Sequence, residues 1–104
     1  MNLDAKALDL YTLDLPASTA VPFAGVKTLN ESAVKKSFGQ AVRAARTEAG
    51  LSQMELAERA DLHFTFISSV ERGVRNISLV NIVRIARALA VKPEVLFTNL
   101  PTTK

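Results

Sequence analysis

Apolar residues recur at helical spacing from Phe38 onward, and the pattern is broken by a few glycines, serines and prolines. Phe38, Val42 and Ala45 follow the i, i+4, i+7 spacing of one helix face. The helix they predict starts near Ser32 or Ala33 and stops at Gly50, a residue suited to the left-handed conformation just past a helix end. Ser52 opens the next helix. With Glu55 it forms a Ser-x-x-Glu capping box, which pairs two otherwise free backbone N–H groups. Leu56, Ala57, Ala60, Leu62, Ile67 and Val70 can all face one interior. That arrangement requires two short amphipathic helices joined by a tight turn at Asp61, a residue type that tolerates positive φ better than most. The second of the pair begins after Leu62 or His63 and ends at Gly73. Small Ala57 lets the two helices approach closely. A helix half buried and half presented to solvent in this way fits the major groove of DNA.

Residues 74–77 read as a loop. Ser78 is a good N-cap for a further helix whose apolar side comprises Leu79, Ile82, Val83, Ile85, Ala86 and Leu89. Lys92, Pro93 and Glu94 mark another start, since proline at the first helical position loses no hydrogen bond. The last helix carries Val95, Leu96 and Phe97, and Pro101 closes it. The expectation is an all-α body of five helices over residues 33–100, with a short tail at 101–104.

Residues 1–32 differ from the body. They contain Pro16, Pro22 and Gly25 and sustain no helical period, so they read as an irregular arm. Residues 8–15 (LDLYTLDL) suit a short strand or one helical turn. Leu3, Leu8, Leu10, Tyr11, Leu13, Leu15, Val21 and Phe23 would be costly to leave clustered in water. Two readings stand side by side: a disordered leader, or an arm that docks on its own domain, a second subunit or a partner protein.

The chain of 104 residues, 48% of them hydrophobic, supports one domain with a packed core. It has no cysteine, which excludes disulfides and thiolate metal sites, and its single histidine argues against a zinc centre. No run reaches the roughly 18 apolar residues of a membrane span, and the first residues do not read as a secretory signal. A soluble cytoplasmic protein without cofactors is the expectation. The net charge is +3, unevenly spread: Asp4, Asp9, Asp14 and Glu31 outnumber Lys6 and Lys27 in the head, whereas basic residues, mostly arginines, outnumber acidic ones from Lys35 on. A basic body suits a nucleic-acid partner but is also common on solvated surfaces.

Several spaced motifs now agree in order: Arg46, the run from Gly50 to Ala57 (GLSQMELA), Ile67 and Ser68, the run from Glu71 to Gly73, Arg75 and Asn76, and the run from Ile85 to Leu89 (IARAL). From about Phe38 to Phe97 the chain resembles the Cro/phage-repressor helix-turn-helix family, also called the xenobiotic-response-element type. Residues 66–78 (FISSVERGVRNIS) are similar to controller proteins of restriction-modification systems. The resemblance covers none of the arm. It implies a five-helix lambda-repressor-like domain that acts as a homodimer on a palindromic operator in double-stranded DNA, with no catalytic activity. It also implies an ion pair between Arg46 and Glu71 that holds the recognition helix, and a backbone phosphate at Gln53.

Residue chemistry adds the contact surface. His63, Phe64, Thr65, Ser68 and Ser69 begin and line the exposed face of the second motif helix, where side chains reach base edges. Phe64 cannot hydrogen-bond a base. It either touches a thymine methyl or packs on the first motif helix, and Phe66 reads as a packing residue. Arg43, Arg72, Arg75, Asn76 and Ser78 complete a rim for phosphates alongside Gln53. Val91, Val95, Phe97 and Leu100 are expected at the dimer surface. The leading function is a transcription regulator, a repressor or an autoregulatory controller. The alternative is an antitoxin-type module whose arm masks a partner protein. No glycine loop for phosphates, metal cluster or Cys–His pair suggests an enzyme.

Overall fold

The computed structural model describes residues 28–101, and the secondary structure there is entirely helical. Four α-helices, α1 (Glu31–Glu48), α2 (Gln53–Ala60), α3 (Phe64–Glu71) and α4 (Leu79–Leu89), precede a 3₁₀ helix (Pro93–Phe97). The fifth expected helix is thus present with Pro93 in its first turn, but it winds as 3₁₀ rather than α. Residues 1–27 and 102–104, with most of the arm and of the tail, lie outside the described residues.

Each α-helix is started by a side chain. The Asn30 side chain accepts from the Ala33 N–H, which moves the start of α1 to Glu31, slightly ahead of the expected Ser32 or Ala33. Ser52 and Glu55 close both halves of the capping box on α2: the Ser52 N–H donates to Glu55 Oε1 at 2.8 Å, and the Glu55 N–H donates to Ser52 Oγ at 3.0 Å. Ser78 caps α4 through the Asn81 N–H. Left-handed residues end all four α-helices: Gly50 follows α1, Asp61 ends α2 at φ 58°, Gly73 follows α3 and Ala90 ends α4 at φ 59°.

The core joins all five helices. Phe38 and Val42 of α1, Leu56 of α2, Ile67 and Val70 of α3, Ile85 of α4 and Leu96 of the 3₁₀ helix are buried together. Helix α3 is held between α1 and α2, while α4 packs on α2 and the 3₁₀ helix closes over α1 and α4. The six core residues expected in the motif are in place, with Leu62 only half-buried at the edge.

The expectation for α4 needs correction. Ile85, Ala86 and Leu89 are buried and Ile82 is half-buried, but Leu79 is 74% exposed and Val83 is exposed as well. At 3.6 residues per turn, Ile82, Ile85, Ala86 and Leu89 fill the arc that faces the core. Leu79 and Val83 fall on its shoulder, so the apolar stripe of α4 is wider than the surface the body covers, while exposed Val80 lies on the far side of the helix from the core.

Gly39 lets α1 cross the end of α3 closely. A Cβ there would overlap the carbonyl oxygen of Val70 and come within 2.9 Å of that of Glu71. Gly73, at φ 77°, turns the chain out of α3 directly against Lys36 of α1.

Candidate nucleic-acid interface

Helix α3 begins at His63, whose Nδ1 accepts from the Thr65 N–H at 3.1 Å. An Nδ1 that accepts carries no proton, so the neutral ring holds its proton on Nε2. The Thr65 hydroxyl lies 2.8 Å from the same Nδ1 and therefore donates to it. The imidazole thus takes the place usually filled by Ser, Thr, Asn or Asp. It leaves Nε2–H, the Thr65 methyl and the Thr65 oxygen lone pairs facing solvent, where both residues are exposed. Thr65 can accept from an adenine or cytosine amino group or touch a thymine methyl, but its proton is already engaged.

Phe64 is exposed beside them, and Ser68 is half-buried one turn later. Phe66 is partly buried against the core, as a packing residue should be.

Ser69 does not stand on the exposed face. Its residue is only 6% exposed, its hydroxyl donates to the Phe66 carbonyl at 2.7 Å, and it accepts from Arg75 Nε at 3.1 Å. The loop after α3 folds Arg75 back over this position, and the guanidinium lies 4.8 Å from the centre of the Phe66 ring. Ser69 was expected to contact bases; here it serves Arg75 instead. Sequence spacing gave no sign of this, because the return path of the loop, set by Gly73, brings the two residues together.

Arg72, Arg75 and Asn76 are exposed around the C-terminal end of α3, and Arg43 is exposed on α1. Ser78 is exposed, with its hydroxyl engaged in capping α4. Gln53 is drawn inward: its Nε2 donates to Glu71 Oε1 at 2.9 Å. Glu71 also accepts twice from Arg46, whose third contact reaches the Leu51 carbonyl at 2.8 Å. The Arg46–Glu71 pair is therefore present and bidentate, and Gln53 joins it. Hydrogen bonding to Glu71 raises the Arg46 pKa, against the opposing effect of burial. This network ties α1, the start of α2 and the end of α3 together, which fixes the angle of α3.

The residues expected at a dimer surface divide. Val95 and Phe97 are exposed, although the Phe97 ring also meets Phe38 at 6.0 Å between centroids. Val91 and Leu100 pack partly against the core.

Two short helices at a fixed angle, the second with its outer face free, match a known pattern over residues 42–96, that of the helix-turn-helix family. The chain belongs to that family, in its Cro/C1-type branch. Its members are DNA-binding transcription regulators and not enzymes. This helix-turn-helix protein is similar to the control protein C.BamHI of Bacillus amyloliquefaciens, with 52% identity over 58 residues that cover 55% of the chain and 72% of the relative. It is also similar to the crystal structure of the restriction-modification controller C.AhdI from Aeromonas hydrophila, with 48% identity, a TM-score of 0.60, and coverage of 61% of this chain and 96% of that one. The clp gene regulator ClgR of Corynebacterium glutamicum matches at 25% identity and a TM-score of 0.59, over 62% of this chain and 83% of its own. No helix among the described residues is long and apolar enough to cross a membrane.

Proposed function

We propose that this helix-turn-helix protein is a repressor or autoregulatory controller that binds a palindromic operator as a homodimer, with α3 in the major groove. The observation that carries this reading is the presentation of α3: His63, Phe64 and Thr65 are exposed on a helix whose opposite face is locked by Ile67, Val70 and the Arg46–Glu71 pair. Bases are read by His63 Nε2, Phe64, Thr65 and Ser68. Arg43, Arg72, Arg75, Asn76 and the N-terminal turns of α2 and α4, at Gln53 and Ser78, meet phosphates.

The apolar shoulder of α4 supports self-association. Leu79, Val80 and Val83 are exposed on α4, and Val95 and Phe97 are exposed on the 3₁₀ helix. A two-fold dimer through these residues would set the recognition helices about 34 Å apart, one turn of DNA.

Selection of duplexes from a random pool tests the reading. The expected product is an inverted repeat with half-sites about 10 bp apart. With about four phosphates neutralised per subunit, affinity should fall with salt at a log–log slope of roughly −7. Val83→Glu should yield a folded monomer in sedimentation that retains only weak half-site binding. A selected site without symmetry, or a flat salt response, would contradict the proposal.

A further inference from the structure

We propose that Phe66 and Ser69 form a seat that fixes the Arg75 guanidinium before DNA arrives, so that Ser69 is a positioning residue acting on the duplex through Arg75. The inference rests on the DNA-binding reading above and deepens it.

Ser69 is too buried to touch a ligand itself, yet its hydroxyl both donates and accepts a hydrogen bond. Donation to the Phe66 carbonyl at 2.7 Å turns an oxygen lone pair outward, where Arg75 Nε–H meets it at 3.1 Å. The Phe66 ring, 4.8 Å from the guanidinium carbon, covers one face of the cation. One N–H and one face are therefore held by α3 itself. The terminal Nη1 and Nη2 groups make no hydrogen bond among the described residues, and Arg75 remains exposed.

A guanidinium held in this way offers its terminal N–H groups as a fixed fork. The fork fits two acceptor atoms side by side, either O6 and N7 of a guanine or two oxygens of a phosphate. An unheld arginine would lose rotamer freedom on binding; the seat takes that loss at folding instead. Lysine has neither the Nε–H nor the planar cation and would not use the seat.

The test is a double-mutant cycle on a duplex selected by the wild-type protein. Ser69→Ala should weaken binding roughly fivefold, the size of one lost hydrogen bond. Arg75→Ala should weaken it more, and Ser69→Ala should add nothing to Arg75→Ala or to Arg75→Lys. Phe66→Leu, which leaves the hydroxyl in place, should show the same non-additivity with Arg75→Ala. Melting curves check that each variant folds. In the free wild-type protein, the Arg75 Nε–H NMR signal should exchange slowly with water, and in Ser69→Ala it should exchange fast. A Ser69→Ala loss that multiplies with that of Arg75→Ala, or no loss at all, would overturn the proposal. If the fork meets guanine, Arg75→Ala relaxes selection at one base pair; if it meets phosphate, the loss is uniform and the salt slope falls by about 1. Either pattern supports the seat. Should the wild-type protein select no duplex, the DNA reading fails and with it the role of the seat. A slowly exchanging Nε–H would then show that the seat forms but serves another purpose.

Discussion

Both carboxylate oxygens of Glu71 accept from the Arg46 guanidinium, Oε2 from Nε at 2.6 Å and Oε1 from Nη2 at 3.0 Å. The Glu71 side chain is 3% exposed, so water cannot replace either partner easily. Removing Glu71 strands a half-buried cation and frees the Gln53 amide. Glu71→Ala should lose about 3–5 kcal/mol of stability. Loss of operator binding should then follow loss of fold. Chemical denaturation measures the first and binding at a temperature where the variant is folded measures the second. Unchanged stability would show that the pair is not structural.

Gly39 predicts the opposite of helix propensity. In an open helix, Gly→Ala gains about 1 kcal/mol. At Gly39 the added methyl overlaps the Val70 carbonyl, which belongs to the backbone of α3 and cannot rotate away. Gly39→Ala should therefore destabilise by about 1–3 kcal/mol. A urea midpoint shifted upward would contradict the close crossing of α1 and α3.

Ala90 ends α4 in the left-handed region at φ 59°, without a glycine's freedom. That conformation costs a residue with a Cβ about 1–2 kcal/mol. Glycine removes the strain but loses more chain entropy on folding. The net expectation for Ala90→Gly is a gain of about 0.5–1 kcal/mol, read as a higher melting temperature.

Glu55 gives the domain an acid-sensitive cap. The hydrogen bond from the Ser52 N–H, and next the Ser52 hydroxyl, hold its carboxyl below the ordinary glutamate range. A lowered folded-state pKa means the ionised form favours folding. Its stabilisation is complete above the unfolded-state value and is lost as pH falls through the folded-state value. Melting temperature should therefore drop on acidification into and below the glutamate range. Glu55→Gln keeps a capping-box side chain but removes this ionisation, and it should flatten that part of the profile. An identical pH profile in the two proteins would count against it.

The local elements were legible in the sequence because they depend on near neighbours. Ser52, Glu55, Gly50, Asp61, Gly73, Ser78 and Pro93 each act within a few residues, and each stands where its chemistry requires. Helical spacing likewise placed Leu56, Ile67 and Val70 in the core. The left-handed Ala90 carried no such signal, since alanine favours helix interiors.

Tertiary structure decided what spacing cannot encode: which part of an apolar stripe finds a partner, and which distant polar groups meet. Helical period alone set Leu79 and Val83 beside Ile82 and Ile85, yet only the last two reach the surface offered by the other helices. Periodicity likewise put Ser69 near the outer face of α3, but the turn at Gly73 laid Arg75 over it and drew its hydroxyl into the protein. Helix starts and stops follow from local backbone hydrogen bonding. Burial and side-chain pairing depend on the shape of the whole domain, which is fixed only once its helices have packed.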